Sequence, residues 1–400
     1  MPLAAASSGK APRNSVDSDS PDKIGAQPNF RFYDNRQNYL LFVNTCSEKW
    51  VVAERVATEL DKIEPRQPAI RFFDAGIGDG TVLARVIRKM HRRFARLPFF
   101  IAGKEISLED IRLFLDKVPD RLFEHPEMVL AITNISYADA PWLMPKRQDL
   151  RDRLVWKEVA LKGSTTAEFE RQIQGLQSFL AESWTTKVHE ETGRLVPETP
   201  TVLVLYRDDC RFLLDNVIPR RDAPTADYDL VLASQPFRLR APLEFKAKRI
   251  LAPLARALRA GGRLLGIHSA GSDPGMEIVR KVWPEEDPFT TSRHELVDAT
   301  RDALGDEAGD FAFDSLSAAR ALFRYEMHTL PDEIDREASM IGTSTLLAAW
   351  NAAVYVAQID DQRVTEAMTS PEYLDATRQV LRKHGELWFN DESYVISRQR

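Results

Sequence analysis

Cysteine is almost absent from the 400-residue chain, which has only Cys46 and Cys210, far apart and in no CxxC spacing. That excludes a disulfide framework and a zinc ribbon, and a reducing cytoplasm is the expected compartment. Long apolar runs are missing too. The most apolar window, Met340 to Ile359, is interrupted by Gly342, Thr343, Ser344, Thr345, Trp350 and Asn351, so it reads as a buried helix and no membrane span is expected. The seven histidines form no HxxxH or HExxH pattern, so no metal site is expected. Positive charge is not in excess: 54 Lys plus Arg face 60 Asp plus Glu, for a net charge of −6. This argues against a phosphate backbone as partner. The 44% hydrophobic and 28% charged residues are in the range of a soluble globular chain with a sizeable core.

Residues 1–28 are rich in Ser, Pro, Asp and Gly and read as a disordered tail, leaving 29–400 as one domain. A helix is expected from Ser47, as its cap, to Leu60, with Val51, Val52, Val56 and Leu60 at helical spacing. Short apolar runs alternating with helical patterns follow. AIRFFDA, FFIAGKE, EMVLAITNIS, YDLVLASQPF and GRLLGIHS read as five parallel strands, and ARALFRYEMHTL and ELWFNDESYVISR add two more. The result is a seven-stranded α/β sheet with helices on both faces. Residues 146–222 interrupt the alternation and read as an insertion covering one end of the sheet, with a helical stretch around Phe169, Ile173, Leu176 and Leu180 and an extra strand at TVLVLY. Being attached after the third strand, the insertion emerges at the carboxyl edge of the sheet and is expected to act as a lid or wall of a ligand site there. Elements within 270–385 are expected to cover the substrate. The basic run Arg85, Arg88, Lys89, Arg92, Arg93 and Arg96 reads as a solvated helix face.

Chemistry concentrates at FFDAGIGDGT, where Asp74, Gly76, Gly78 and Gly80 lie on the turn between the first strand and its helix. Glycines at alternate positions let the backbone bend and a ligand approach, and the turn opens where open α/β sheets bind ligands. The spacing is not GxGxxG, because Thr81 stands three residues after Gly78, and GxxxxGK[ST] is absent. It resembles motif I of the class I methyltransferases that use S-adenosylmethionine. That resemblance covers about Ile70 to Ser269. It implies a Rossmann-like sheet, parallel with one antiparallel strand near the C-terminus, and S-adenosylmethionine as cofactor. The implied cofactor contacts are Asp74, Gly76, Gly78 and Gly80, Glu105 on the ribose, Asp139 on the adenine amine, and Ser234 at the end of the fourth strand.

The two ends of the chain, YLLFVNTCSEKW and HGELWFNDESYVISR, resemble segments of the histamine N-methyltransferase family. Carried over residue by residue, the likeness places substrate-orienting roles on Glu48, Gln235 and Asp391. Asp391 stands where that family has Asn, and a carboxylate only accepts hydrogen bonds, so a substrate with an additional cationic or donor-rich group is implied. The expected function is methyl transfer to a small-molecule acceptor, an amine nitrogen favoured. Tyr33, Tyr39, Phe237, Trp283 and Trp388 are candidate cation–π walls. His268 reads as structural. Two alternatives stay open: a nucleic-acid base methyltransferase, because SQPF faintly resembles Asn-Pro-Pro-aromatic, and a non-catalytic cofactor-binding scaffold.

Overall fold

Short, almost continuously apolar strands build the centre of the molecule. The computed structural model describes residues 36–190, 195–314, 316–328, 334–335 and 340–399. The tail expected over 1–28, and Tyr33, lie outside the described residues. Ten strands join one sheet: β1 Ile70–Asp74, β2 Phe99–Lys104, β3 Met128–Thr133, β4 Val155–Leu161, β5 Thr201–Arg207, β6 Tyr228–Ser234, β7 Leu258–Ser269, β8 Phe311–Asp314, β9 Leu322–Glu326 and β10 Trp388–Arg398. The order is β8-β10-β7-β6-β1-β2-β3-β5-β4, with β9 also on β10. Strands β3, β2, β1, β6 and β7 run parallel, and β10 enters antiparallel to β7.

The expected count of seven strands, and of one antiparallel strand, needs two corrections. The expected sixth strand, ARALFRYEMHTL, forms as β9 against the beginning of β10, and a further strand, β8, pairs with the end of β10. The insertion also adds β5, antiparallel to β3, and β4 outside it. Part of the insertion therefore belongs to the sheet and the core. Every residue of β5 is buried, and Phe169, Ile173 and Leu180 from the two insertion helices Thr166–Gln174 and Gln177–Ser183, with Trp184 just after the second, join the core on one face of the sheet.

Because side chains alternate along a strand, Ile70 and Phe72 serve that face while Phe73 serves the other. A third cluster lies apart from these two. It joins Phe42 on α1, Arg36–Thr45, to Ile278, Trp350 and Leu381 on helices within 274–384 and to Phe389 on β10. Helix α2, Glu48–Leu60, forms as expected, but Ser47 does not cap it through its hydroxyl, which accepts instead from the Glu326 amide at 2.9 Å. The cap hydroxyl thus ties α2 to β9. Among the described residues, no helix is long and apolar enough to cross a membrane.

Two measurable consequences follow from this core. Truncating Phe169, fully buried beneath the insertion, to Ala should cost about 3–5 kcal/mol in urea unfolding, as a core position does; a loss under about 1 kcal/mol would place the insertion outside the cooperative core. The second concerns His125, stacked on Phe99 with centroids 3.7 Å apart. Its Nε2 donates to the Leu97 carbonyl at 3.0 Å, which leaves Nδ1 to accept from His91 Nδ1 at 2.9 Å. Burial, then His91, pushes its pKa down to about 4 from 6.5. A depressed histidine stabilises fully above its unfolded pKa and loses that contribution as pH falls from about 6.5 to about 4, on the order of 2–3 kcal/mol. Urea midpoints at pH 7 and 5 should differ accordingly, and His125→Gln should flatten the difference.

Candidate functional site

The turn after β1 is built by its own polar groups. The Asp74 carboxylate accepts the Gly76 amide at 3.0 Å, and burial, followed by the charge of Glu105, pushes its pKa up to about 7. Gly78 and Gly80 take positive φ values of 55° and 78°, a region where a Cβ is costly. A Cβ on Gly80 would also lie 2.1 Å from the Phe114 ring, and one on Gly78 would lie 3.3 Å from the Tyr39 hydroxyl. At Gly76 a Cβ would meet nothing within 4 Å. The exposed wall of the turn is therefore at Gly76. The other two glycines serve packing and backbone geometry.

Two acids stand at the ends of the next two strands. Glu105, buried just after β2, accepts the Gly78 amide at 2.8 Å on Oε2, and the Ile106 and Ser107 amides at 2.7 and 2.9 Å on Oε1. Asp139 lies in the loop after β3. Its Oδ2 accepts the Ser136 hydroxyl at 3.1 Å, while Oδ1 is buried without a partner among the described residues. A buried carboxylate oxygen left unpaired costs about 1–3 kcal/mol or more, so it is a position that a ligand donor would satisfy.

A second group of residues gathers where α2 meets β7 and β10. Gln235, just past β6, holds φ of +49°, a strained value for a residue with a side chain and one that clusters at functional sites. Its Nε2 reaches Ser269 Oγ at 3.0 Å and Asp391 Oδ1 at 3.3 Å. Ser269 and Asp391 face each other across the β7–β10 ladder. Asp391 is fully buried and its Oδ2 has no partner among the described residues. Burial, then the neighbouring charge of Glu48, raises its pKa well above the ordinary carboxylate value, and the Ser269 hydroxyl and Lys49 do not offset this. Burial and the charge of Glu48 thus favour the neutral form of Asp391, which could donate as well as accept, where the sequence reading takes a carboxylate that only accepts.

Glu48 is buried at the start of α2, with Lys49 Nζ 3.4 Å from its Oε2. Lys49 also lies 5.7 Å above the Tyr39 ring, and Tyr39 is 6.1 Å from Tyr355 and Phe42 4.7 Å from Tyr355. The sequence-predicted set thus falls into two groups: Asp74, Gly76, Gly78, Gly80, Glu105 and Asp139 along the strand ends, and Glu48, Gln235 and Asp391 beside β7 and β10. Ser234 ends β6 next to Gln235. Lys49, Ser269 and Tyr355 were missed, because no spacing rule marks a lysine following a glutamate or a serine ending a strand.

Other candidates stand in other contacts. Phe237 lies against the Lys246 ammonium, Trp283 against Trp350, and Trp388 against Arg324. The basic helix α3, Thr81–Arg93, is largely neutralised: Lys89 pairs with Glu54, Arg88 with Glu124 and Arg93 with Asp61, while Arg85 covers Trp50. Among the described residues no three His, Cys, Asp or Glu side chains are grouped to hold a metal ion.

No family model matches the chain, and no curated protein matches it. Among solved structures, it is similar to a geranyl diphosphate methyltransferase in complex with geranyl diphosphate and sinefungin, at 12% identity and a TM-score of 0.31, over 88% of this chain and 78% of that one. It is similar to PKMT2 from Rickettsia typhi in complex with AdoHcy, at 10% identity and a TM-score of 0.30, over 87% of this chain and 52% of that one. A protein assigned as a sarcosine dimethylglycine methyltransferase from Galdieria sulphuraria matches at 9% identity and a TM-score of 0.33, over 91% of this chain and 85% of that one.

The different surroundings of the turn glycines predict opposite responses. Gly80→Ala should lower stability by about 1–3 kcal/mol, from overpacking against Phe114 and an unfavourable φ. Gly76→Ala should stay within about 0.5 kcal/mol of the parent. Paired thermal or urea unfolding curves check this.

Proposed function

We propose that the chain is an S-adenosylmethionine-dependent methyltransferase with a Rossmann-like sheet, acting on the amine nitrogen of a small molecule. The observation that carries this is the row at the ends of β1, β2 and β3: an open wall at Gly76, the Glu105 carboxylate beside it, and the unpartnered buried Oδ1 of Asp139. The row suits a nucleoside with an amino-acid tail. Asp139 Oδ1 would take the adenine amino group, and the bare backbone at Gly76 would admit the methionine end. Glu105 departs from a bidentate grip on the ribose. A carboxylate offers about four acceptor positions, and three are already given to backbone amides. One ribose hydroxyl can therefore be accepted while Gly78 stays bound.

When bound, the cofactor supplies a sulfonium methyl, which the amine lone pair takes as the carbon–sulfur electron pair withdraws onto sulfur to leave a neutral thioether. The protein's work is alignment and proton handling. Glu48 would receive the ammonium and draw off the proton that frees the lone pair. Gln235, with Asp391 and Ser269 behind it, would fix the amine's direction at the end of β6. Tyr39, Phe42 and Tyr355 would wall the cation with aromatic faces and exclude water.

The test is titration of S-adenosylhomocysteine, followed by labelled methyl transfer to small molecules of a cell extract. Gly76→Leu should abolish binding and remain folded, and unchanged affinity in that variant would refute the cofactor placement. Glu48→Gln loses a charge-assisted bond worth about 1.5–3 kcal/mol, so kcat/KM should fall about ten- to a hundredfold. Asp391→Asn keeps a group that donates and accepts, so it should change kcat/KM by less than about threefold. A large loss at Asp391 with none at Glu48, or labelled products that carry no amine, would overturn the amine assignment.

A further inference from the structure

The neighbours of Lys49 narrow the acceptor further, given the amine-methylating reading above. An ammonium has three donors. Among the described residues, Lys49 Nζ has one carboxylate within 4 Å, Glu48 at 3.4 Å, on a side chain that is 19% exposed. Its nearest ring is Tyr39, so it lies between the glycine turn and the Glu48–Asp391 group. The second under-used group is Asp391, with Oδ2 buried and without a partner among the described residues while Oδ1 is held by Gln235. Glu48 is the nearest acid to Lys49, with Asp79 acting on it from the glycine turn, and burial together with Glu48 favours the neutral, donating form of Asp391. A bare cationic amine drawn to Glu48 would be set against the Lys49 ammonium at short range, in a water-poor site where repulsion is poorly screened. A ligand with both charges would exchange the long internal ion pair for two closer ones.

We infer that the methyl acceptor is an amino-acid-type zwitterion, its ammonium received by Glu48 and its carboxylate by Lys49 together with the unpartnered oxygen of Asp391. Lys49 is then a specificity-determining residue that selects the carboxylate. The carboxylate takes no part in bond making, and the proton and electron flow are those of the amine reaction.

The experiment uses the full-length protein saturated with S-adenosylhomocysteine. Amino acids and their decarboxylated partners, such as histidine with histamine, tyrosine with tyramine and glycine with methylamine, are titrated in pairs, and methyl transfer from labelled S-adenosylmethionine is measured on the same pairs. The carboxylate-bearing member of at least one pair should bind and react at least about tenfold better. Lys49→Met should erase that preference while the affinity for S-adenosylhomocysteine stays unchanged. Equal or better use of the decarboxylated amines, a preference that survives Lys49→Met, or binding of no member of any pair overturns the inference and leaves the cofactor reading standing. Weakened S-adenosylhomocysteine binding in Lys49→Met overturns it in another way, by assigning the lysine to the cofactor's own carboxylate. Failure of S-adenosylhomocysteine to bind the parent protein removes the underlying reading, and the inference with it.

Discussion

The carboxylate of Glu105 collects backbone amides from two loops, which the Ile77 amide and the Lys104 carbonyl also join at 3.0 Å. Its Oε1 holds the chain as it leaves β2, through Ile106 and Ser107, and its Oε2 holds the glycine turn at Gly78. Charge-assisted bonds from buried amides are stronger than neutral ones, and here they fix the spacing between the first two strand ends. The turn's positive-φ glycines make Gly78 available to that carboxylate, and Asp74 holds the other side of the loop through Gly76. The insertion reports to the same residue, since the Trp184 indole donates to the Glu105 carbonyl at 2.9 Å. A change at Glu105 would therefore disturb the turn as well as any ligand contact.

Burial does opposite things to the carboxylates of this molecule, and partners decide which. Glu59 is fully buried yet sits below its ordinary pKa, because Lys62 and Arg263 outweigh desolvation. Glu392 is pulled down to about 2 by His268 and Arg293. Asp391, the neighbour of Glu392 on β10, points to the opposite face of the sheet, meets Glu48 instead of a bonded cation, and goes up. Adjacent residues on one strand thus have their pKa values shifted in opposite directions because side chains alternate across a sheet.

That alternation explains what could be read before the fold was known. Buried parallel strands are short, continuous apolar runs, and β1, β2, β3, β6 and β7 stood out as such, as did the glycine turn between β1 and α3. Strand β4 did not, because VWKEVAL is an edge strand with exposed Lys157 and Glu158, and charged residues that protect an edge erase the apolar signal. Strand β8 has only four residues. The helix expected over PLEFKAKRILAPLARALRA is broken by a π-turn, Ala247–Leu251, just before Pro253, where the missing amide and the ring prevent a regular ladder. The acids of the candidate site were legible as positions at strand ends. Their charge states were not, because protonation depends on neighbours from distant parts of the chain, such as Glu48 and Asp391.

The insertion also solves a problem of direction. After β3 the chain is at the candidate ligand edge of the sheet, where the glycine turn lies, and β6, parallel to β1, must start from the opposite edge. A crossover helix is the usual return path. Here β5 makes the return, running antiparallel to β3, with Thr201 at the ligand edge beside Thr133 and Asn134 and Arg207 at the far edge. Strand β4 and the two insertion helices form the preceding unit, parallel to β5. They bring the chain back to the ligand edge in time for the hairpin of Thr186–Val188 and Leu195–Pro197. The Trp184 indole ties the insertion to the Glu105 carbonyl, while β4, β5 and the two helices build part of it into the sheet and the core.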